Sequence, residues 1–147
     1  MTPVGTPIVR ERPPGRPAWL AIGAAMLLGI GGWSAHAVGA ERDALRHTAR
    51  ALTNGGDARR GPELMRRYGC ATCHTVPGVD GATGGVGPPL GGIAQRSYIG
   101  GVLPNTPENL MQWIRDPKLV DSLTAMPNVG VSEVDARHIA AYLYTLR

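Results

Sequence analysis

The sequence predicts an all-α fold: a small domain of three or more helices joined by long Gly- and Pro-rich loops, preceded by a single N-terminal apolar helix. Three observations carry that expectation. Residues 18 to 38 form an apolar run without a formally charged side chain. Three later segments place apolar residues at helical spacing behind capping residues. The 21 glycines and 13 prolines of the 147-residue chain weigh against a plain helical bundle and put long loops between the helices.

Composition narrows the class further. The length prior points to one ordinary domain. A hydrophobic fraction of 43% is too high for a disordered chain. Two cysteines cannot build a disulfide-dense scaffold. Aromatic residues are 5% of the chain and Phe is absent, so a small domain has little large apolar volume to bury. Such a domain usually needs a staple, whether a metal, disulfides or a cofactor. The net charge of +4 is mild, and the segment after residue 17 is nearly balanced, so there is no nucleic-acid-binding stripe.

The first element follows a basic tail, residues 1 to 17, with Arg10, Arg12 and Arg16 against Glu11. Residues 18 to 38 at about 1.5 Å each span roughly 31 Å, the thickness of a bilayer core. Trp19 and Trp33 lie near its ends, where interfacial aromatics are expected. The positive-inside rule then leaves the N-terminus in the cytoplasm and carries the rest across the membrane. A cleaved signal peptide is the rival: a basic stretch, the apolar run Ala18 to Trp33, and the small residues Ala35 and Ala37 before Val38. Either reading exports the remainder, as a single-pass protein of a bacterial inner membrane or as a soluble periplasmic protein cut near Ala37.

Residues 39 to 56 read as a linker, with a weak stripe at Leu45 and Leu52 and a break at Thr53-Asn54-Gly55-Gly56. The domain is expected over 57 to 147. Its first helix ends in Leu64, Met65 and Tyr68. Asp57 resembles its cap, but Pro62 would cost an interior hydrogen bond, so regular helix is expected only from near Pro62. The second helix has Thr106 as cap, Pro107 at its first position, and Leu110, Trp113 and Ile114 on one face, with Pro117 stopping it. The third opens with the capping box Ser132-x-x-Asp135 and carries Ile139, Tyr142, Leu143 and Leu146. Residues 75 to 105 between the first two hold nine Gly and four Pro. A structureless loop that long needs a function, and wrapping a large ligand would supply one.

That ligand is indicated by Cys70-Ala71-Thr72-Cys73-His74. Both cysteines of the chain fall in this one C-x-x-C-H, the attachment pattern of c-type haem. Two thiols form thioethers with two vinyl groups on one haem edge, and His74 follows as the proximal iron ligand. A zinc site needs four ligands, and there is no second C-x-x-C. A thioredoxin-like redox pair needs a βαβ setting, whereas this motif ends a helix. A structural disulfide is poor at a spacing of three.

From about residue 57 to 147 the chain resembles the class I c-type cytochromes. The resemblance rests on Cys70-x-x-Cys73-His74, Gly87-Pro88-Pro89-Leu90, Met126-Pro127 and the helix carrying Tyr142-Leu143, in that order. It implies the small cytochrome c fold around one haem c, covalently attached through two thioethers. It also implies that the Pro88 carbonyl accepts a hydrogen bond from the His74 ring, orienting the imidazole. By the same resemblance Leu90 packs on the haem face, Arg96 approaches a propionate, and Tyr142 meets the first helix near Gly61. The chain differs from the mitochondrial type in three respects. No Trp lies between Arg96 and the second helix, Trp113 stands where a haem-packing Tyr usually lies, and there is no lysine ring.

A thioether sixth ligand raises the reduction potential relative to two imidazoles. Met26 lies in the apolar run. Met65 is on the helix leading into the motif, on the wrong side, and Met111 reads as core. Met126 is in an irregular segment after His74, next to Pro127, and is the expected ligand. His36 and His47 precede the domain, and His138 is expected to be exposed.

The resulting functional expectation is an electron carrier and not an enzyme: one haem, one electron at a time, no small-molecule substrate and no nucleic acid. Its partners would be a quinol-oxidising complex, a terminal oxidase or a dehydrogenase beside the membrane helix. A haem enzyme or gas-binding sensor with a displaceable sixth ligand is the first alternative. A fixed haem relay subunit of an oxidoreductase complex is the second.

Overall fold

The computed structural model describes residues 18–147, with the side chains of 18–21 and 24 also outside the described set. The expected basic tail, 1 to 17, lies outside the described residues. The chain divides into two compact units, 1–39 and Ala40–Arg147.

In the first unit, residues 18 to 39 are helical, as the start of α1 (Ala18–Leu52). Ile22, Met26, Leu27, Leu28, Ile30 and Trp33 are all exposed on it. Among the described residues no helix is long and apolar enough to cross a membrane.

The second unit begins earlier than the expected boundary at residue 57. The end of α1 belongs to it because Ala49, only 1% exposed, packs with Ala58 and Ala141. Thr53 closes α1 by returning its hydroxyl to the Ala49 carbonyl at 2.7 Å. Asp57 then caps a short 3-10 turn, Ala58–Arg60, accepting from the Arg59 amide. Helix α2 (Gly61–Arg67) starts directly after it with Pro62 in its first turn, where the missing N–H costs nothing. The cytochrome-type motif does not end this helix. Gly69, at φ +75°, breaks it, and Cys70–Cys73 forms its own single turn, α3.

The Gly-rich stretch is more ordered than its composition suggests. It holds a 3-10 turn at Ile93–Gln95 and a two-stranded antiparallel hairpin, β1 (Tyr98–Ile99) with β2 (Leu103–Pro104). Helix α4 (Pro107–Arg115) has Thr106 accepting from the Asn109 amide. A short helix, α5 (Pro117–Val120), follows at once. Helix α6 (Glu133–Leu143) opens on Ser132, whose hydroxyl accepts from the Asp135 amide at 3.1 Å.

Helix α6 is the centre of the domain and packs on α2, on the 3-10 turn before it and on α4. A glycine makes the first crossing possible. A Cβ at Gly61 would lie 2.1 Å from the Tyr142 Cβ, so the two helices meet at van der Waals distance only because that atom is missing. Leu64, Met65, Leu110, Ile114, Ile139 and Leu143 fill the core between them.

Candidate functional site

The site starts from the turn Cys70–Cys73. Gly69 reverses the chain after α2, and α3 then presents two thiols on one short turn, with His74 leaving it in extended conformation. The segment 83–90 runs back along that turn. The Gly87 amide donates to the Cys73 carbonyl at 2.8 Å, and the Leu90 amide to the Thr75 carbonyl at 2.8 Å. The glycines serve that approach. A Cβ at Gly84 would lie 2.4 Å from the Thr72 carbonyl oxygen, and one at Gly87 would lie 2.4 Å from His74 Cε1. The backbone thus covers the motif at a distance that side chains would forbid.

This approach fixes the His74 ring. Its Nδ1 lies 2.7 Å from the Pro88 carbonyl oxygen. A carbonyl only accepts, so Nδ1 carries the proton and donates, and Nε2 is left with a free lone pair. A hydrogen bond at the remote ring nitrogen is the arrangement that orients a metal-ligating imidazole and raises its basicity.

A cavity of about 700 Å³ opens beside the turn. It is lined by Cys70, Cys73 and His74, by Pro88, Leu90 and Arg96, by Trp113 of α4 and by Met126. All eight residues expected at the site therefore border one cavity. The lining is mostly apolar, and it includes no Asp or Glu. Its size is that of a pocket for a large organic group. Paired thiols at one wall, an imidazole with a free Nε2, and a thioether in the same lining form a donor set that fits a covalently held haem. Burial pushes the Cys70 thiol up from its ordinary range. A redox-active C-x-x-C pair carries the opposite shift, toward thiolate. Among the described residues no group of three or more His, Cys, Asp or Glu is placed to hold a metal ion.

Individual residues depart from the sequence reading. Met65, on the helix leading into the motif, is 1% exposed and lines the cavity, as Met126 does. Met111 does not line it and packs on the core instead. Met126 is half-buried in the irregular segment before α6, and its amide donates to the Thr124 hydroxyl at 3.3 Å. Arg96 borders the cavity, but its Nη2 donates to the carbonyls of Pro89 and Gly91. Trp113 lies across Gly100, at φ +56°, where a Cβ would come within 2.5 Å of the indole. Tyr68, Val86, Tyr98 and Val129 also line the cavity. Of these, only Tyr68 had a signal in sequence, its place two residues before Cys70.

His138 is not simply exposed. Half-buried on α6, its Nδ1 accepts the Asp57 amide at 2.8 Å. The ring proton therefore sits on Nε2, and the Arg60 guanidinium 2.6 Å from that atom meets a donor, not an acceptor. Burial and the nearby Arg60 charge hold His138 below the usual histidine range. His138, His47 and His36 all lie outside the cavity lining. Tyr144, at the end of α6, is pushed up to about 12 by burial and by Glu108, so its hydroxyl stays a donor.

The family described as cytochrome c oxidase, cbb3-type, subunit III matches residues 56–143. The chain is also 35% identical, over 91 residues, to cytochrome c oxidase subunit 2 of Alkalihalophilus pseudofirmus. That match covers 61% of this chain and 26% of the relative, so the chain spans about a quarter of that protein's length. No solved structure matches the chain significantly. The motif, the cavity built around it and the match over residues 56–143 agree: the chain belongs to the family of the cbb3-type cytochrome c oxidase subunit III, a monohaem c-type cytochrome with covalently bound haem c, and its two cysteines, Cys70 and Cys73, stand in one C-x-x-C-H.

Proposed function

We propose that this protein is a one-electron carrier that serves a terminal-oxidase-type partner, with His74 and Met126 as the two axial ligands. The observation that carries the proposal is that both side chains line one cavity with the paired cysteines, while His74 has its Nδ1–H committed to Pro88 and its Nε2 free. Haem c supplies a reversible ferric/ferrous couple. The residues around it do the rest. Cys70 and Cys73 hold the group in place, and Pro88 fixes the imidazole plane. Leu90, Ile93, Leu110, Trp113, Ile114 and Val131 supply an apolar wall that limits water around the couple. A filled pair of axial positions leaves no place for a substrate, which favours a carrier over a haem enzyme or gas sensor.

The oxidase partner is supported by the relative, in which a similar stretch lies within a cytochrome c oxidase subunit 2. Export is supported by the uncharged run 18 to 38 behind three arginines, and attachment to a membrane by the exposed Ile22, Met26, Leu27, Leu28, Ile30 and Trp33. The haem domain then works on the exported side, held by that segment or released by cleavage near Ala37.

The test is reoxidation of the reduced full-length protein by native membranes. One electron per chain should be lost, and cyanide, which blocks terminal oxidases, should stop the reaction. Reoxidation that cyanide leaves untouched would refute the oxidase partner. Ready binding of CO by the reduced protein under native conditions would refute the closed sixth position.

A further inference from the structure

We propose that Asn105 is a positioning residue for His74, acting through Arg96 and the Pro88–Gly91 loop. Asn105 sits between β2 and α4 and is half-buried. Its amide nitrogen donates both protons, to the Ile93 carbonyl at 2.8 Å and to the Arg96 carbonyl at 2.9 Å. Its Oδ1 accepts the Tyr144 hydroxyl at 3.0 Å, and its backbone N–H donates to the Ser97 carbonyl at 2.9 Å. One side chain thereby ties the 93–97 turn, the hairpin and the end of α6 together.

The tie continues toward the site. Arg96, whose carbonyl Asn105 holds, donates from its guanidinium to the carbonyls of Pro89 and Gly91. Between His74 and those two carbonyls stands Pro88, whose oxygen accepts the His74 Nδ1–H at 2.7 Å. A hydrogen-bonded path therefore runs from Tyr144 through Asn105 and Arg96 to the loop that orients the imidazole. The Ala94 amide, donating to the Leu146 carbonyl at 3.2 Å, ties the same turn to the C-terminal segment a second time. Pro88 and Pro89 have no N–H of their own, so the loop cannot hold itself by local amide bonds at those positions. The Gly87 and Leu90 amides anchor the two sides of the Pro88-Pro89 pair, and Arg96 adds a grip on the carbonyls of Pro89 and Gly91. In this chain Arg96 acts on the loop whether or not it also meets a propionate.

This inference rests on the reading of His74 as the iron ligand. Its test uses the full-length haem-loaded protein in the reduced state, with Asn105→Leu and Tyr144→Phe as variants. Two quantities are read: solvent exchange of the His74 Nδ1–H by NMR, and the midpoint potential. A merely structural staple would lower the melting temperature and leave both unmoved well below the melt. A looser His74–Pro88 hydrogen bond makes the imidazole a weaker donor to iron, which favours the ferrous state. The expected result is exchange at least tenfold faster in Asn105→Leu, faster by a smaller factor in Tyr144→Phe, and midpoints displaced upward in the same order. Tyr144→Phe keeps the ring and removes one hydroxyl, so it carries the test alone if Asn105→Leu does not load haem. Exchange within twofold of wild type and an unmoved midpoint in the variants that load would overturn the proposal. A wild-type His74 ring proton exchanging at the rate of free imidazole would instead overturn the His74 reading, and the proposal with it.

Discussion

Replacing Gly87 by Ala tests how the site is built. The backbone of Gly87 is not in the left-handed region, so alanine meets no torsional penalty there. The obstacle is the imidazole. The new Cβ would lie 2.4 Å from His74 Cε1, 2.6 Å from Nδ1 and 2.9 Å from Nε2. Carbon atoms pack at about 3.5–4.0 Å, so the ring or the 83–90 segment must move by about 1 Å. A shift of that size stretches the 2.7 Å Nδ1–H bond to Pro88 beyond useful length. Losing that bond costs about 1 kcal/mol. Overpacking adds about 1–3 kcal/mol. Together the loss is about 2–4 kcal/mol, or roughly 10–30 °C in melting temperature for a domain of this size. Gly85→Ala is the matched comparison, because nothing lies within 4 Å of its Cβ and its φ is ordinary. It should be neutral or slightly stabilising. The assay is thermal unfolding of the haem-loaded protein followed in the Soret band. A Gly87→Ala melt within about 2 °C of wild type would refute the close-packed picture of His74.

Further predictions concern the other supports. Gly61→Ala places a Cβ 2.1 Å from Tyr142 Cβ and should destabilise the α2–α6 crossing by about 2 kcal/mol or more in denaturant unfolding; an unchanged midpoint would contradict that contact. His138 is neutral when it accepts the Asp57 amide, and its folded pKa lies below its ordinary value of 6.5. Its contribution is therefore complete above about pH 6.5 and is lost as pH falls through the folded value. The groups facing it are Arg60, Asp135, Asp57 and Arg50. Melts of wild type and His138→Gln should differ by about 1 kcal/mol at pH 7.5 and converge toward pH 5; a constant difference would count against the protonation link. Cys70→Ser or Cys73→Ser should leave haem poorly attached through one remaining thioether, and the double variant should lose it entirely on a denaturing gel, whereas haem retained by the double variant would contradict attachment through these thiols.

Much of the helical frame was legible. Ser132 and Thr106 cap the helices their spacing announced, and Pro62 does sit in a first turn behind a short irregular one. The haem motif was legible because its chemistry is local: five consecutive residues contain both cysteines and the proposed ligand His74. The Gly-rich stretch was read as a wrap around a large ligand, and Gly87, Gly100 and Gly101 do line the cavity. Gly84 and Gly87 carry a second constraint, because the motif's own backbone and imidazole lie against them. Nothing in a glycine's sequence context says which distant atom will touch it. The same holds for Asn105, His138 and Ala49, whose partners lie across the fold, at Tyr144 and Arg96, at Asp57, and at Ala58 and Ala141. That Met65 would line the cavity was not legible, because helical spacing gives a face but not what that face looks at. The break of α2 at Gly69 was visible as a residue but not as a φ of +75°.

The central claim, a haem c ligated by His74 and Met126 that passes single electrons, is tested most directly by redox-titrated absorption spectra of wild type and Met126→Ala. The wild-type protein should titrate reversibly with a one-electron slope. It should be low-spin in both states and show a weak sulfur-to-iron band at the red edge of the ferric spectrum. In Met126→Ala that band should vanish, the low-spin six-coordinate character should be lost, and the midpoint should fall. A variant spectrum identical to wild type, with no such band to lose, would contradict the ligation and the electron-carrier reading built on it.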